Sequence, residues 1–309
     1  MTALIGADSA GTDSLECYLE TERERVEAAL LRAVDGLPRS LPADVAAAAR
    51  HGVMGGGKRL RPVLCVAAYG ACSGAPSTAA YDLAASLELI HAYSLMHDDL
   101  PCMDDADLRR GRATTHREHG EEATMRAGAA LIPAAALQAL RACGSLGCAR
   151  ETTSAVIGVL LRAAGAGGMV GGQWVDLEGE GVSLAAAELD DLHRRKTGAL
   201  LAASLEMGAL AAGAPAAAVD ALRAYGRAIG LAFQIVDDVL DATQSADTLG
   251  KNPSDEVHGK STYVSLYGLE EARRRALDQS TRAVAALDEG AIEAPMLVAL
   301  ARFVVERER

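Results

Sequence analysis

Residues 79–97, AAYDLAASLELIHAYSLMH, are the stretch that decides the class of fold. The apolar side chains Leu83, Leu87 and Ile90 recur at steps of three and four, which is the spacing of one face of an α-helix. Pro101 follows shortly afterwards and predicts the end of this helix, because proline has no backbone N–H to donate. The stretch therefore predicts a long helix with an apolar face.

The rest of the chain has the same character. Ala, Leu, Glu and Arg dominate, and further helices are predicted over 184–212, with Ser183 as N-cap, and over 216–241. Glycine clusters interrupt the pattern at 55–57, 165–172 and 179–181. Because no repeat or long linker is visible, we expect a single all-α domain over residues 1–309, with 1–40 as its N-terminal helical region.

The composition limits the possible functions. The chain has 309 residues, with 42 Asp or Glu and 30 Lys or Arg, and its formal charge of −12 argues against a nucleic-acid-binding surface. Only 3% of the residues are aromatic, so small Ala and Gly side chains that let helices approach closely must fill much of the core. The six cysteines contain no CxxC pair, so they indicate neither a zinc cluster nor a redox motif.

The expected location is cytoplasmic, without membrane insertion. The N-terminal segment shows neither a cationic region nor an apolar core of signal-peptide length. The most apolar stretch, 127–140, has 14 residues. That is shorter than the roughly 18 residues that suggest a membrane span.

Two acidic clusters far apart in sequence carry the strongest functional signal. They contain Asp98, Asp99, Asp104, Asp105 and Asp107 in HDDLPCMDDADLRRG, and Asp237, Asp238 and Asp241 in FQIVDDVLD. Asp237 and Asp241 leave the same face of an apolar helix and repel each other in the absence of a cation. Asp98 and Asp104 would lie about 240° apart on an unbroken helix, so they can share an ion only if Pro101 introduces a turn. Most acidic runs form solvated helix faces, but the apolar flanks of the second cluster favour metal ligation.

The ligand types indicate which metal and which substrates to expect. Oxygen ligands without His or Cys suit Mg²⁺ or Mn²⁺, and Mg²⁺ usually takes one or two carboxylates with phosphate oxygens and water. Residues 55–62, GGGKRLRP, present three cations after a glycine loop, and Arg109 and Arg110 follow the first acidic cluster. Such loops are common in linkers, and this one is not a Walker motif, but guanidinium groups match phosphate oxygens. We therefore expect two diphosphates, one held through metal and one held directly.

These motifs, taken in order, resemble a known family. The sequence is similar to the trans-isoprenyl diphosphate synthases, also called polyprenyl synthetases, and most similar to the bacterial farnesyl diphosphate synthases. The resemblance runs from about Leu41 to the C-terminus. It rests on GGGKRLRP, IHAYSLMHDDLPCMDDADLRRG, Gly171-Gly172-Gln173, Lys196-Thr197-Gly198, FQIVDDVLD and GKSTY at 259–263. It implies an all-α bundle of the isoprenoid synthase type around a central active-site cavity, and a homodimer.

The resemblance also implies a role for each matching residue. The implied Mg²⁺ ligands, for three ions with Mn²⁺ as a substitute, are Asp98, Asp104, Asp237, Asp238 and Asp241. The implied ligands of isopentenyl diphosphate are Lys58, Arg61, His91 and Arg110, and those of the allylic diphosphate are Arg109, Lys196, Lys251 and Lys260. Thr197 and Gln234 would line the carbocation site. The implied catalytic set is Asp98, Asp99, Asp104, Arg109, Lys196, Asp237 and Asp238. Taken alone, His91 would more often be a core histidine, and Lys251 a solvated loop lysine.

The implied reaction joins isopentenyl diphosphate to dimethylallyl or geranyl diphosphate. Tyr93, five residues before Asp98, together with Ser94 and the two extra residues in DDLPCMD, is typical of a farnesyl product. Geranylgeranyl and geranyl diphosphate remain alternative products. Three departures from the family pattern, Ala106, Ala129 in place of a common Asp, and Val264, remove none of the implied metal ligands.

Two other classes of protein are compatible with part of the pattern. A class I terpene cyclase shares the helical architecture, but it carries one Asp-rich motif and a pocket lined with aromatic rings. A noncatalytic regulatory subunit could lose its acids, whereas both clusters here are complete. The sequence therefore favours a synthase over both.

Overall fold

The structure, a computed structural model, describes residues 8–179, 181, 183–243 and 261–306. Its first half contains α1 (Asp8–Asp35), α2 (Ala43–Val53), α3 (Leu60–Ser73), α4 (Thr78–Asp98), β1 (Leu108–Arg109), β2 (Arg112–Ala113), α5 (Thr115–His119), α6 (Glu121–Ser145) and α7 (Arg150–Ala164). The second half contains α8 (Met169–Glu178), α9 (Ala186–His193), a π-helix (Arg194–Gly198), α10 (Ala199–Ala211), α11 (Ala216–Thr243), α12 (Tyr263–Tyr267), α13 (Leu269–Glu289) and α14 (Pro295–Glu306). The all-α fold class is confirmed.

The bundle is organised around α10. Most residues of this helix are buried, and α3, α7 and α11 pack around it. Small residues make this packing possible: a Cβ on Gly208 would lie 2.2 Å from the Cys65 carbonyl oxygen, and one on Gly226 would lie 2.6 Å from the Ala202 Cα. The expectation that Ala and Gly fill a core poor in aromatic rings is thus met at the centre of the bundle.

The boundaries of the predicted helices differ in one instructive place. Helices α4 and α11 match the predictions over 79–97 and 216–241 to within two residues. The predicted helix over 184–212 is wrong as a single element, because α9 has Ala185 rather than Ser183 as its N-cap and the π-helix separates it from α10. A π-helical turn inside a helix is frequent at functional sites.

The helix around the most apolar stretch is longer than the sequence indicated. The apolar stretch 127–140 lies inside the 25-residue helix α6. By length and composition, Glu121–Ser145 and Arg150–Glu178 could each cross a membrane, but buried core helices pass the same test. On α6, the buried residues include Ala127, Leu131 and Ala135, spaced as one face that packs against α4.

Candidate active site

The first acidic cluster lies on a tight turn after α4. The helix ends at Asp98, and the Asp104 backbone N–H donates to the Asp98 carbonyl at 2.9 Å. This turn provides the irregular geometry that Pro101 predicted. Burial raises the pKa of Asp98 to about 6, and the like charges of Asp104 and Asp99 act in the same direction, whereas Lys196 opposes them. Asp98 is therefore a carboxyl group whose charged form is disfavoured by burial and by neighbouring carboxylates, and a nearby cation would favour that charged form.

A short hairpin turns Arg109 back onto this cluster. Strands β1 and β2 pair in antiparallel fashion, and the two-residue loop Arg110-Gly111 has φ angles of 54° and 73°, as a type I′ turn requires. Arg109 Nη2 lies 2.6 Å from Asp99 Oδ1, and Arg109 Nε donates to the same oxygen at 2.7 Å. Asp99 is only 3% exposed. The Asp99 carboxylate orients Arg109. This contact accounts for the position of Asp99 in the motif without a metal-binding role.

The second acidic cluster lies near the end of α11. The Gln234 side-chain amide donates to Asp237 Oδ2 at 3.1 Å. Asp238 is 7% exposed, and its Oδ2 accepts the Tyr263 backbone N–H at 2.7 Å. Asp241 is half-buried, as is Asp237, four residues earlier on the same helix. The buried Asp238 thus anchors the start of α12, while Asp237 and Asp241 share the more exposed face.

The π-helix joins the two acidic clusters. The Thr197 hydroxyl donates to Gln234 Oε1 at 2.9 Å and so continues the chain of hydrogen bonds that leads to Asp237. Lys196, next to Thr197 in the π-helix, carries a positive charge that opposes the rise in the pKa of Asp98. A side chain on Gly172 would be impossible here, because its Cβ would lie 2.3 Å from the Lys196 backbone nitrogen. The close approach of α8 to the π-helix explains Gly172, whereas a Cβ on Gly171 would lie 1.9 Å from the Ala166 carbonyl oxygen.

Sequence reasoning missed two residues beside the π-helix. Lys196 Nζ lies 2.5 Å from Asp176 Oδ2, and the Asp176 side chain is 12% exposed. His193 is buried, its ring stacks on Tyr263, and burial lowers its pKa to about 4. Asp176, Asp238 and His193 line a small cavity of about 60 Å³. The available signal for Asp176 was its position one helical turn after the glycine pair of GGQ.

A separate cluster of cations lies between α3, α4 and the hairpin. Burial lowers the pKa of His91 well below its usual value, and the arginines Arg61, Arg110, Arg109 and Arg59 lower it further. Arg110 Nη1 donates to the carbonyl oxygen of Gly56 in the glycine loop. Burial also lowers the pKa of Arg61. The structure thus brings His91 together with both predicted arginines, and the cluster has the charge needed to bind a diphosphate.

Tyr93 and Ser94 lie on α4 above the first acidic cluster. Tyr93 is 6% exposed and makes an edge-to-face contact with His97, with ring centroids 5.8 Å apart. Burial and the charge of Asp98 raise the pKa of Tyr93 to about 12. The Ser94 hydroxyl donates to the His91 carbonyl at 2.9 Å, within its own helix. Tyr93 is therefore the bulky group of the pair.

The predicted metal ligands fit a hard cation but are not preassembled. Within the residues that the structure describes, no three His, Cys, Asp or Glu side chains form a metal-binding group. Mg²⁺ typically needs only one or two carboxylates when phosphate oxygens complete its coordination, so this donor set suits a metal that arrives with a diphosphate. Lys251 and Lys260 lie outside the described residues.

A larger cavity is lined in part by the π-helix residues Arg194 and Gly198. It has a volume of about 430 Å³, lies between α7, α10 and α11, and is lined by arginines that include Arg162, Arg194 and Arg227. None of the predicted site residues lines it. The candidate site is therefore defined by the acidic clusters and the cation cluster rather than by this cavity.

Together, the helical bundle, the paired acidic clusters and the adjacent cations define an enzyme that handles diphosphate substrates. Residues 42–294 match the polyprenyl synthetase family. The chain belongs to this family and is a prenyltransferase, as the resemblance implied.

Relatives with known names agree on the family and differ in product. The chain is 41% identical to a dimethylallyltranstransferase of Fischerella ambigua, covering 96% of this chain and 84% of that protein. It is 40% identical to the chloroplastic geranylgeranyl pyrophosphate synthase 11 of Arabidopsis thaliana, covering 94% and 81%. The crystal structure of an FPP/GFPP synthase from Zymomonas mobilis superposes with a TM-score of 0.81 at 34% identity, covering 94% of this chain and 99% of that one.

Proposed function

We propose that this prenyltransferase condenses isopentenyl diphosphate with dimethylallyl and geranyl diphosphate to give farnesyl diphosphate. The observation that carries the proposal is the π-helix, which connects the two acidic clusters. The positive charge of Lys196 favours the charged form of Asp98, and the Thr197 hydroxyl donates a hydrogen bond to Gln234, which in turn donates one to Asp237. A single allylic diphosphate bound between the two acidic clusters would contact both clusters. The cation cluster around His91 supplies a separate place for the second diphosphate.

The metal that fits this site is Mg²⁺, in up to three ions, with Mn²⁺ as a substitute. The residues proposed to hold it are Asp98, Asp104, Asp237, Asp238 and Asp241. When bound, the metal would supply Lewis-acid stabilisation of the charge on the diphosphate. These carboxylates would hold the metal, and the burial of Asp238 limits access of water to this part of the site.

The chain's own cations and dipoles perform the remaining steps. Arg109 and Lys196 bind the allylic diphosphate and stabilise its negative charge as the C–O bond breaks. Thr197 and Gln234 present oxygen dipoles beside the allylic cation that remains. The double bond of isopentenyl diphosphate then forms the new C–C bond, and the proton that is lost goes to the released pyrophosphate. Preorganised charge thus replaces a dedicated general base.

The farnesyl product is proposed on the basis of Tyr93. This buried ring lies on α4, five residues before Asp98. In the proposed reaction the growing chain extends toward it. Geranylgeranyl diphosphate is the second candidate, because one relative is named as a synthase of that product and the Zymomonas mobilis protein as an FPP/GFPP synthase. Geranyl diphosphate is the shorter alternative.

A product assay tests the proposal directly. The purified protein is incubated with isopentenyl diphosphate, Mg²⁺ and either dimethylallyl or geranyl diphosphate, and the dephosphorylated products are separated by chromatography. We expect farnesol as the main product. A cyclised hydrocarbon would identify a cyclase instead, and no product would identify a noncatalytic subunit. Asp104→Asn should remove activity, whereas Asp220→Asn, an exposed carboxylate on α11 far along the helix from Asp237, serves as the control.

We also propose that the protein is a homodimer that uses an exposed apolar surface on α7 and α8. Leu161, Val170 and Trp174 are 43%, 47% and 63% exposed. Burial of such side chains against a second copy would remove apolar area from water. Trp174→Glu should give a monomer in analytical ultracentrifugation, whereas Leu277→Glu, at a 56% exposed leucine on α13, should not.

A further inference from the structure

Arg59 is buried in an unusual conformation between two predicted substrate ligands. It lies between Lys58 and Arg61, is 3% exposed, and forms the N-cap of α3 with a left-handed φ of 50°. That conformation is unfavourable for a residue with a Cβ, so the surroundings must stabilise it. None of the roles implied by the family motifs involves this side chain.

Three hydrogen bonds fix the Arg59 guanidinium. Nε donates to Glu27 at 2.7 Å, Nη1 donates to Glu88 at 2.8 Å, and Nη2 donates to the Val53 carbonyl at 2.9 Å. The Arg59 and Glu88 side chains are 2% and 3% exposed. The contact with Val53 ties Arg59 to the end of α2, so the loop between α2 and α3 is fixed at both ends.

The carboxylate of Glu88 interacts with other members of the cation cluster besides Arg59. It lies on α4 three residues before His91, so both side chains project from neighbouring positions on the helix surface. Its negative charge also acts on Arg61 and Arg110, and it favours the charged form of each. Glu88 thus offsets part of the repulsion among the cations before any diphosphate binds.

A buried ion pair of this kind is a poor source of stability, because a hydrophobic pair of the same size often stabilises a fold equally well. We infer that Arg59 and Glu88 are positioning residues for the isopentenyl diphosphate site. Arg59 holds the loop so that Lys58 and Arg61 face the substrate, and Glu88 holds Arg59 and moderates the charge of the cluster. The inference rests on the proposed function, since it deepens the same site.

The test replaces both members of the buried pair, so that neither Arg59 nor Glu88 is left without the other; Glu27, the second partner of Arg59, is 31% exposed and can be solvated. Arg59→Met/Glu88→Met retains side-chain length and should fold, which circular dichroism and thermal unfolding verify. Calorimetry then gives the Kd for isopentenyl diphosphate alone and, separately, for geranyl diphosphate with Mg²⁺. We expect the first Kd to rise about tenfold or more and the second to stay within about twofold, because only one subsite loses its positioning residues.

The matched control is the pair Arg223 and Glu206, which is joined by two hydrogen bonds of 2.8 Å between α11 and α10. Arg223→Met/Glu206→Met should leave both Kd values unchanged. Arg59→Lys keeps the buried charge and should raise only the Kd for isopentenyl diphosphate, by a smaller factor; it decides the question if the double variant fails to fold.

An unchanged Kd for isopentenyl diphosphate in a folded variant would overturn the inference. An equal loss of affinity for both substrates would overturn it as well, because it would indicate a general structural role. A wild-type protein that binds isopentenyl diphosphate but does not condense it would contradict the proposed function while leaving the comparison of Kd values intact.

Discussion

Tyr93→Ala should lengthen the product. Tyr93 lies five residues before Asp98 on the continuous helix α4, and that separation corresponds to about 7.5 Å along the helix axis. The ring is 6% exposed, so its removal opens space that a longer chain could occupy. A buried CH₂ group contributes about 0.8 kcal/mol, so five more carbons would favour the longer chain by up to about 4 kcal/mol, or about a thousandfold.

The assay compares products of the wild type, Tyr93→Ala and Tyr93→Phe under identical substrate ratios. The alanine variant should shift the main product from farnesyl to geranylgeranyl diphosphate or longer, whereas the phenylalanine variant, which keeps the ring, should retain the wild-type distribution. Loss of a buried aromatic ring typically costs about 3–5 kcal/mol of stability, so the assay is run below the unfolding temperature of the variant. A folded alanine variant with an unchanged product distribution would refute the assignment of Tyr93 as the limit of the cavity.

Three further changes test other parts of the site. Asp176→Asn removes the 2.5 Å partner of Lys196 and should lower kcat/KM for the allylic substrate about tenfold or more, with KM for isopentenyl diphosphate unchanged in steady-state assays. Burial and nearby arginines lower the pKa of His91 in the fold, so the unfolded chain binds more protons below the usual pKa of 6.5 and the stability decreases as the pH falls; His91→Gln should therefore flatten the dependence of Tm on pH between about pH 7 and 5. Chelation with EDTA should abolish condensation and leave Tm nearly unchanged, since the described residues contain no preassembled metal group, and added Mg²⁺ should restore activity.

Much of the fold could be predicted from periodicity and breakers. The pattern of Leu87 and Ile90 and the later Pro101 were sufficient for α4, because local spacing determines which side of a helix is buried. The hairpin of β1 and β2 was not predicted, because Arg110 occupies a left-handed position that usually selects Asn, Asp or Gly. The π-helix was also missed, since Lys196 and Thr197 have no local signal that distinguishes it from an ordinary helix.

The site could be predicted only as far as its motifs extend. Residues inside contiguous motifs, such as Lys196 and Asp237, were identified by their neighbours in sequence. Asp176, Arg59 and Glu88 were missed because their roles depend on partners that the fold brings together over long sequence distances. A single carboxylate such as Glu88, in the middle of an apolar helix, gives no indication in the sequence of which cation will face it.

The pairing of charges explains how one site can hold so many charged side chains before a substrate binds. Arg109 is held by Asp99, and Lys196 by Asp176, so these two predicted diphosphate ligands already have carboxylate partners that are not predicted metal ligands. Each partner fixes its cation in place before the substrate arrives, which reduces the reorganisation needed for binding. Asp98, by contrast, has a pKa raised by burial and by neighbouring carboxylates. Asp99 and Asp176 therefore orient cations, whereas Asp98 is a carboxylate that a bound metal cation would stabilise.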